Sequence, residues 1–499
     1  IIYFYMNYII PHKIMKNNLL FTSVTLLIIM FSFSCTGEKN KTYPADIEEK
    51  IKQVENNLGG WVRIEGDEPG NLAERMRQNN VKGLCIAVVN DYKIEWVRGY
   101  GWADEAEQRP VTASTLFQAA SISKSLNGVG IMLLVQEKKI DLHTDINEYL
   151  KTWKFPYDSI SGNKPVTVGA LLSHTAGLTI HGFPGYEQGD TLPTLPEILD
   201  GIKPANTEAV RSMTAPDTFA IYSGGGVTIS QLIATDVTNE PYDLFMQEKV
   251  LDPMGMSSSF YTQPPPASKK RLLATGYKVD GSEVAEKYHI YPEQAAAGLW
   301  TNPEDLCRYI IETQLSWEGK SSKILTPEFT RLRLTPVIDE AAYGVFVSKK
   351  EGATYFSHGG GNEGFTCLYT GDLEKGNGFA IMTNSDNGSL LEEIANSIAT
   401  VYGWKGYYNP KIKSVVEVPE PVLNSYTGKY EVEGQVVNIK LDNGSLWLNA
   451  FGNLYWKMYF TSDTEAFMKE YRAGLVFVTD ADGKVTGLKA DGMMIPKVE

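Results

Sequence analysis

Phe117-Gln118-Ala119-Ala120-Ser121-Ile122-Ser123-Lys124 runs without a break into residues 125–136, where Ile131, Leu133, Leu134 and Val135 are apolar. The pattern predicts a helix opening at Ser121. Positions i and i+3 share one helical face, so Lys124 reaches back to the Ser121 hydroxyl. A serine hydroxyl is a weak nucleophile until a neighbouring base takes its proton, and a partly desolvated lysine amine serves as that base. A helix N-terminus also offers backbone N–H groups and a dipole that favour negative charge on an attacked carbonyl. Ser-x-x-Lys is a short pattern, and it recurs at Ser161-Gly162-Asn163-Lys164. That copy lies among Gly, Asn and Pro, where no helix holds the two side chains together.

Outward from the motif, residues 83–89 and 93–101 are β-rich and meet at Asn90-Asp91, which predicts a hairpin. Residues 150–300 carry many Gly and Pro between short helical segments, the composition of an elaborated lobe with functional loops. Thr301-Asn302-Pro303-Glu304 predicts a capped amphipathic helix through Ile311. Strand-like runs return at 342–347, 365–370 and 378–383, followed by a helix over 390–401. Strands from both ends around a helical middle predict an α+β fold: an antiparallel sheet flanked by helices, a helical lobe, and a site in the cleft between them.

Three further clusters carry chemistry. Tyr222-Ser223-Gly224-Gly225-Gly226 puts a phenol and a hydroxyl beside a glycine run that permits close backbone approach. His358-Gly359-Gly360-Gly361 lies between two predicted strands, where missing side chains let a substrate lie against an edge. Leu171-Leu172-Ser173-His174-Thr175-Ala176-Gly177-Leu178 is a polar block in an apolar setting, and His174 is expected to brace its own loop. The segment His181-Gly182-Phe183-Pro184-Gly185-Tyr186 reads as a shaped loop near the cleft.

Ser-x-x-Lys, Tyr-Ser-x and His-Gly-Gly, in this order and at these wide spacings, resemble the serine β-lactamase-related family. That family includes class C β-lactamases, D-alanyl-D-alanine carboxypeptidases, D-aminopeptidases and esterases. The resemblance spans roughly residues 60–402, and residues 171–178 and 250–256 resemble further family signatures. It implies a β-lactamase/DD-peptidase-like fold with Ser121 as the acylated nucleophile and Lys124 accepting or relaying its proton. Tyr222 matches the family's general acid/base. His358 takes the position that polarises the site and binds a substrate carboxylate. The N–H groups of Ser121 and Gly361 would form the oxyanion hole, with Ser223, Gly359 and Gly360 at the substrate. Two departures matter: Gly224 stands where class C β-lactamases have Asn, and His358-Gly359-Gly360 where they have Lys-Thr-Gly. An imidazole is less reliably charged than an ammonium near neutral pH. The implied activity is therefore a peptidase or amidase acting on small D-amino-acid-containing peptides of cell-wall type. Esterase action on small acyl esters is the alternative, ahead of a β-lactamase or a slowly acylating sensor.

The remaining sequence sets bounds. With 499 residues, more than one core is expected. There are 46 basic and 60 acidic residues, a formal net charge of −14, and no long basic run. A nucleic-acid surface, which needs clustered Lys and Arg, is not expected. Residues 1–35 read as an export signal: Lys16, an apolar run over 19–33, then Ser34-Cys35-Thr36-Gly37. Met15 is the expected start, and Cys35 resembles a bacterial lipidation site, which implies a membrane contact through a lipid anchor and a periplasmic or cell-surface lipoprotein. Residues 36–55 read as a polar tether, 56–404 as the hydrolase domain and 405–423 as a linker. From 424 to 499, alternating apolar residues and the turn signals Asn443-Gly444 and Asp482-Gly483 predict a small all-β domain, which resembles a lipocalin-like appendage. Cys85, Cys307 and Cys367 lack metal-ligand spacing and read as small buried hydrophobes. No G-x-S-x-G, H-E-x-x-H or Walker pattern occurs, and neither a metal nor an organic cofactor is expected.

Overall fold

The computed structural model describes residues 41–498 apart from 163, 433, 434, 452, 453 and 473. The signal segment and Cys35, and with them the expectations of export and lipidation, lie outside the described residues. Eight strands form the main sheet: β1 (Gly83–Asn90), β2 (Lys93–Asp104), β3 (Arg109–Pro110), β4 (Ala341–Ala342), β5 (Val345–Lys350), β6 (Ala353–Asn362), β7 (Phe365–Asp372) and β8 (Gly378–Thr383). Their order is β3-β2-β1-β8-β7-β6-β5-β4, antiparallel throughout. The β1·β8 ladder, with Ile86 opposite Ile381, joins the two ends of the segment. Asp91 and Tyr92 turn the β1–β2 hairpin at φ of 51° and 59°, the hand a two-residue turn between right-twisted strands requires.

Seven helices bear on the site: α1 (Ala45–Glu55), α2 (Ser123–Gln136), α3 (Val168–Leu172), α4 (Gly224–Thr238), α5 (Gln294–Ala297), α6 (Pro303–Trp317) and α7 (Ser389–Val401). Because β1 is covered on both faces, it reads as an unbroken apolar run rather than an alternation. Leu84, Ile86 and Val88 face one core with Ile51 and Val54 of α1 and Ile394 and Ile398 of α7. Cys85, Ala87 and Val89 face the other, with Leu126 and Ile131 of α2 and Leu306 and Ile310 of α6. Helix α2, which carries Lys124, packs on this second face. Cys85, Cys307 and Cys367 are buried free thiols.

Four boundaries differ from the sequence reading. Residues 45–55, read as tether, are α1, because Ile51 and Val54 at i, i+3 give it a face to bury against α7. The cap of α6 is Asn302 rather than Thr301. Its side-chain oxygen accepts from Asp305 N at 2.8 Å, Pro303 takes the first turn, and the helix runs on to Trp317. A 3₁₀ turn over Ala120–Ile122 precedes α2, so Ser121 sits ahead of the regular helix. Within the linker, Lys411–Lys413 pairs in parallel with Val62–Ile64.

The C-terminal region folds as two antiparallel sheets of four and five strands between Gly428 and Pro496. Asn443 and Gly444 take φ of 48° and 70° at one hairpin. Its centre is filled by side chains, with Tyr426 and Phe477 stacked at 3.7 Å. It docks on the α7 side of the sheet, away from α2. The Lys469 carbonyl accepts from Val62 N at 3.3 Å, the Arg472 guanidinium lies 3.5 Å over the Trp61 ring, and Trp456 Nε1 donates to Ser389 Oγ at 3.4 Å. Among the described residues no helix is long and apolar enough to cross a membrane.

Candidate active site

Ser121 occupies the 3₁₀ turn behind Ala120, whose φ of 47° is left-handed. Such a conformation costs a non-glycine residue about 1–2 kcal/mol and persists only where the surroundings over-determine it. They do so here. Ser123 Oγ donates to the Ala120 carbonyl at 2.6 Å, and Gly360 of β6 packs directly on the turn. A Cβ at Gly360 would strike the Ala119 carbonyl and lie 2.7 Å from Cys367 Sγ and 3.1 Å from Ala120 Cβ. Only glycine lets the strand approach that closely.

Lys124, in the first turn of α2, is 1% exposed. Its Nζ lies 2.9 Å from Ser121 Oγ and donates to the Ala296 carbonyl of α5 at 2.7 Å. Burial disfavours the ammonium and brings its pKa down to about 7. A neutral amine is thus accessible beside the hydroxyl near neutral pH. The second copy of the motif has no such geometry: Ser161 Oγ bonds the Asp158 carbonyl at 2.8 Å, and Lys164 is exposed.

Tyr222 enters the same site. Its ring lies 5.0 Å from Lys124 Nζ, and its phenol hydrogen-bonds Ser121. Burial pushes the phenol pKa well up, partly offset by the bond to Ser121, so the group is a neutral donor. His358 is buried 6.3 Å from the Tyr222 ring and 5.4 Å from Phe346. Burial first, then the Lys124 charge, bring its pKa down to about 3, so the imidazole is neutral. The pairing of β5 with β6 ends opposite Ser357. Beyond it, among the described residues, His358–Asn362 pairs only with β7, which leaves the other side of Gly359, Gly360 and Gly361 facing the cleft.

Ser223, expected at the substrate, is placed as the N-cap of α4: its Oγ accepts from Gly226 N at 2.9 Å and donates to the Thr179 carbonyl at 2.7 Å. At Gly224 a Cβ would lie 3.1 Å from both the His181 carbonyl and the Phe183 ring. The loop 181–186 therefore packs closely against this position. Four contributors were not legible in local spacing: the Ala296 carbonyl, the Phe183 ring, the His174 ring against Tyr222, and Glu293. They arrive from segments more than fifty residues from Ser121; the block at 171–178 signalled His174 and the shaped loop at 181–186 signalled Phe183, while nothing marked Ala296 or Glu293. Among the described residues no group of three or more His, Cys, Asp or Glu is placed to hold a metal ion.

Glu293 caps α5, its carbonyl accepting from Ala296 N at 3.0 Å and Ala297 N at 2.9 Å. Its side chain is completely buried, and beyond its own backbone N–H neither carboxyl oxygen has a hydrogen-bond partner. Burial raises its pKa to about 8. The unfolded chain ionises this group above about 4.5 while the folded chain does not, so stability falls by about 1.4 kcal/mol per pH unit between the two values. Glu293→Gln is expected to raise the urea midpoint at pH 7.5 and to leave it nearly unchanged at pH 4. An equal shift at both pH values would place the effect elsewhere than in ionisation.

A serine hydroxyl beside a buried amine, a neutral phenol and a glycine strand, set between a sheet and a helical lobe, is the arrangement of a serine hydrolase. The Beta-lactamase family model matches residues 70–401, and the chain belongs to that family. Its curated relatives include protein flp of Staphylococcus aureus (strain N315), 23% identical over 362 residues, covering 72% of this chain and 68% of that protein. The teichoic acid D-alanine hydrolase of Staphylococcus aureus (strain MRSA252) is 22% identical and covers 67% of this chain and 84% of its own. Among solved structures, the D-amino acid amidase of Ochrobactrum anthropi SV3 superposes with a TM-score of 0.55 at 20% identity, over 72% of this chain and 98% of that one.

Proposed function

We propose that this chain is a peptidase or amidase that releases D-amino acids from small, wall-type peptides through an acyl-enzyme on Ser121. Lys124 takes the Ser121 proton as Oγ attacks the carbonyl. Tyr222 passes a proton to the leaving amine and later aids the attacking water. The Ser121 and Gly361 N–H groups stabilise the oxyanion. The observation that carries the reading is the buried Lys124 Nζ held between Ser121 Oγ and the Ala296 carbonyl. Two relatives named for D-amino-acid substrates support the substrate class. A neutral His358 supplies no cation for a substrate carboxylate, which favours D-amino-acid amides and peptides over β-lactams. The reading also places the chain outside the cytoplasm, where such peptides occur, on the strength of the signal at 1–35.

A second reading, esterase action on small acyl esters, is favoured by Gly224, where an amide that would orient a peptide is missing. One assay separates them: purified residues 36–499 given D-alaninamide, a cell-wall pentapeptide and p-nitrophenyl acetate, with D-alanine read by mass spectrometry. D-Alanine from the amide and from the pentapeptide is expected. Ester turnover with no D-alanine would replace this proposal with the esterase.

A further inference from the structure

His174 occupies a left-handed position at the end of a helix. Helix α3 ends at Leu172, and the Thr175 N–H returns to the Ala170 carbonyl at 2.9 Å, which closes a Schellman turn around His174 at φ +59°. Glycine or asparagine is the usual occupant of that left-handed position, because a side chain crowds the backbone there.

The His174 carbonyl accepts from Ile221 N at 2.7 Å, and the ring Nδ1 accepts from Ser223 N at 3.2 Å. One residue thus receives the backbone N–H groups on both sides of Tyr222. The ring also lies 4.3 Å from the Tyr222 ring, with Phe346 stacked at 6.3 Å and 17°. Accepting at Nδ1, the neutral ring carries its proton on Nε2. Burial, then Lys124, His358 and His181, all press it towards that neutral form. A protonated ring would lose the Nδ1 lone pair and with it the bond to Ser223 N.

We infer that His174 is a positioning residue for Tyr222: a neutral, Nε2-protonated imidazole that clamps the peptide on both sides of the phenol and holds it on Ser121. The inference rests on Ser121-dependent hydrolysis and on the role given to Tyr222, not on the identity of the natural substrate. Asparagine is the informative replacement, since it tolerates the left-handed backbone and its side-chain oxygen falls near the place of Nδ1.

The test follows p-nitrophenyl acetate turnover by the purified hydrolase in the wild type, His174→Ala, His174→Asn, Tyr222→Phe and the double variant His174→Ala/Tyr222→Phe, with melting temperatures in parallel. His174→Ala is expected to lower kcat by about 10²-fold with KM changed less than about threefold, His174→Asn to recover at least about tenfold of that loss, and His174→Ala to cost less than about threefold once the phenol is absent. A loss that is the same with and without the Tyr222 phenol, or no recovery by a folded His174→Asn, would overturn the inference. Ser121→Ala runs alongside: turnover persisting there would instead overturn the hydrolase assignment of that serine.

Discussion

Ser121→Ala is expected to lower kcat by about 10⁴- to 10⁶-fold and to abolish any acyl adduct on the protein. Among the described residues, the Ser121 hydroxyl is the side-chain group that Lys124 Nζ hydrogen-bonds, at 2.9 Å. Removing it leaves the other contacts of the site in place. Lys124 keeps its bond to the Ala296 carbonyl, Ser123 Oγ keeps its bond to the Ala120 carbonyl, and β6 still packs on the turn through Gly360. The fold is therefore expected to survive, and the left-handed Ala120 backbone with it. Intact-mass spectra after a quench with D-alaninamide or p-nitrophenyl acetate, beside steady-state kcat, read both parts of the prediction. Turnover within tenfold of wild type in a folded Ser121→Ala protein would mean that another group attacks the carbonyl.

The parts of this site that could be read in the sequence are those whose geometry is local. Ser121 and Lys124 are three residues apart at a helix start, and helical geometry alone brings them together. Tyr222 and His358 sit 101 and 237 residues from Ser121, and no spacing rule predicts that they converge; the family resemblance supplied them. Charge state was less legible still. His358 reads as a cation-forming residue until its burial beside Lys124 is known, because desolvation is a property of the whole packed environment rather than of a motif. The same holds for Glu293, a carboxyl with nothing in its neighbourhood along the chain to mark it as buried. The strand alternation failed in β1 for a related reason: covering both faces removes the polar residues on which the period-two pattern depends. Where the sequence was misread, as in α1, a polar composition hid two apolar residues that were enough to dock a helix.

The site's pH dependence should be set by Lys124. Its amine must be neutral to take the Ser121 proton, and burial holds its pKa at about 7 rather than 10.5. Below that value the base is protonated, so kcat/KM is expected to fall tenfold per pH unit under about pH 6, pass half-maximum near 7, and level off above about 8. The Tyr222 phenol, pushed up by burial, adds no second limb in that range. Lys124→Arg keeps a donor for the Ala296 carbonyl but is never deprotonated, so about a 10³-fold loss and disappearance of the limb near 7 are expected. The same burial has a thermodynamic counterpart of opposite sign. Below pH 7 the folded chain carries a charged, buried amine, and the penalty is complete, at most about 5 kcal/mol for a depression of this size. As pH rises from 7 to 10.5 the unfolded chain loses its proton as well, and the penalty vanishes. Lys124→Met should therefore stabilise the fold more at pH 6 than at pH 10 while abolishing turnover. A pH–rate limb near 7 that survives in Lys124→Arg, or a Lys124→Met stabilisation that does not depend on pH, would show that the titrating base is some other group, and the acylation mechanism would have to be rebuilt around it.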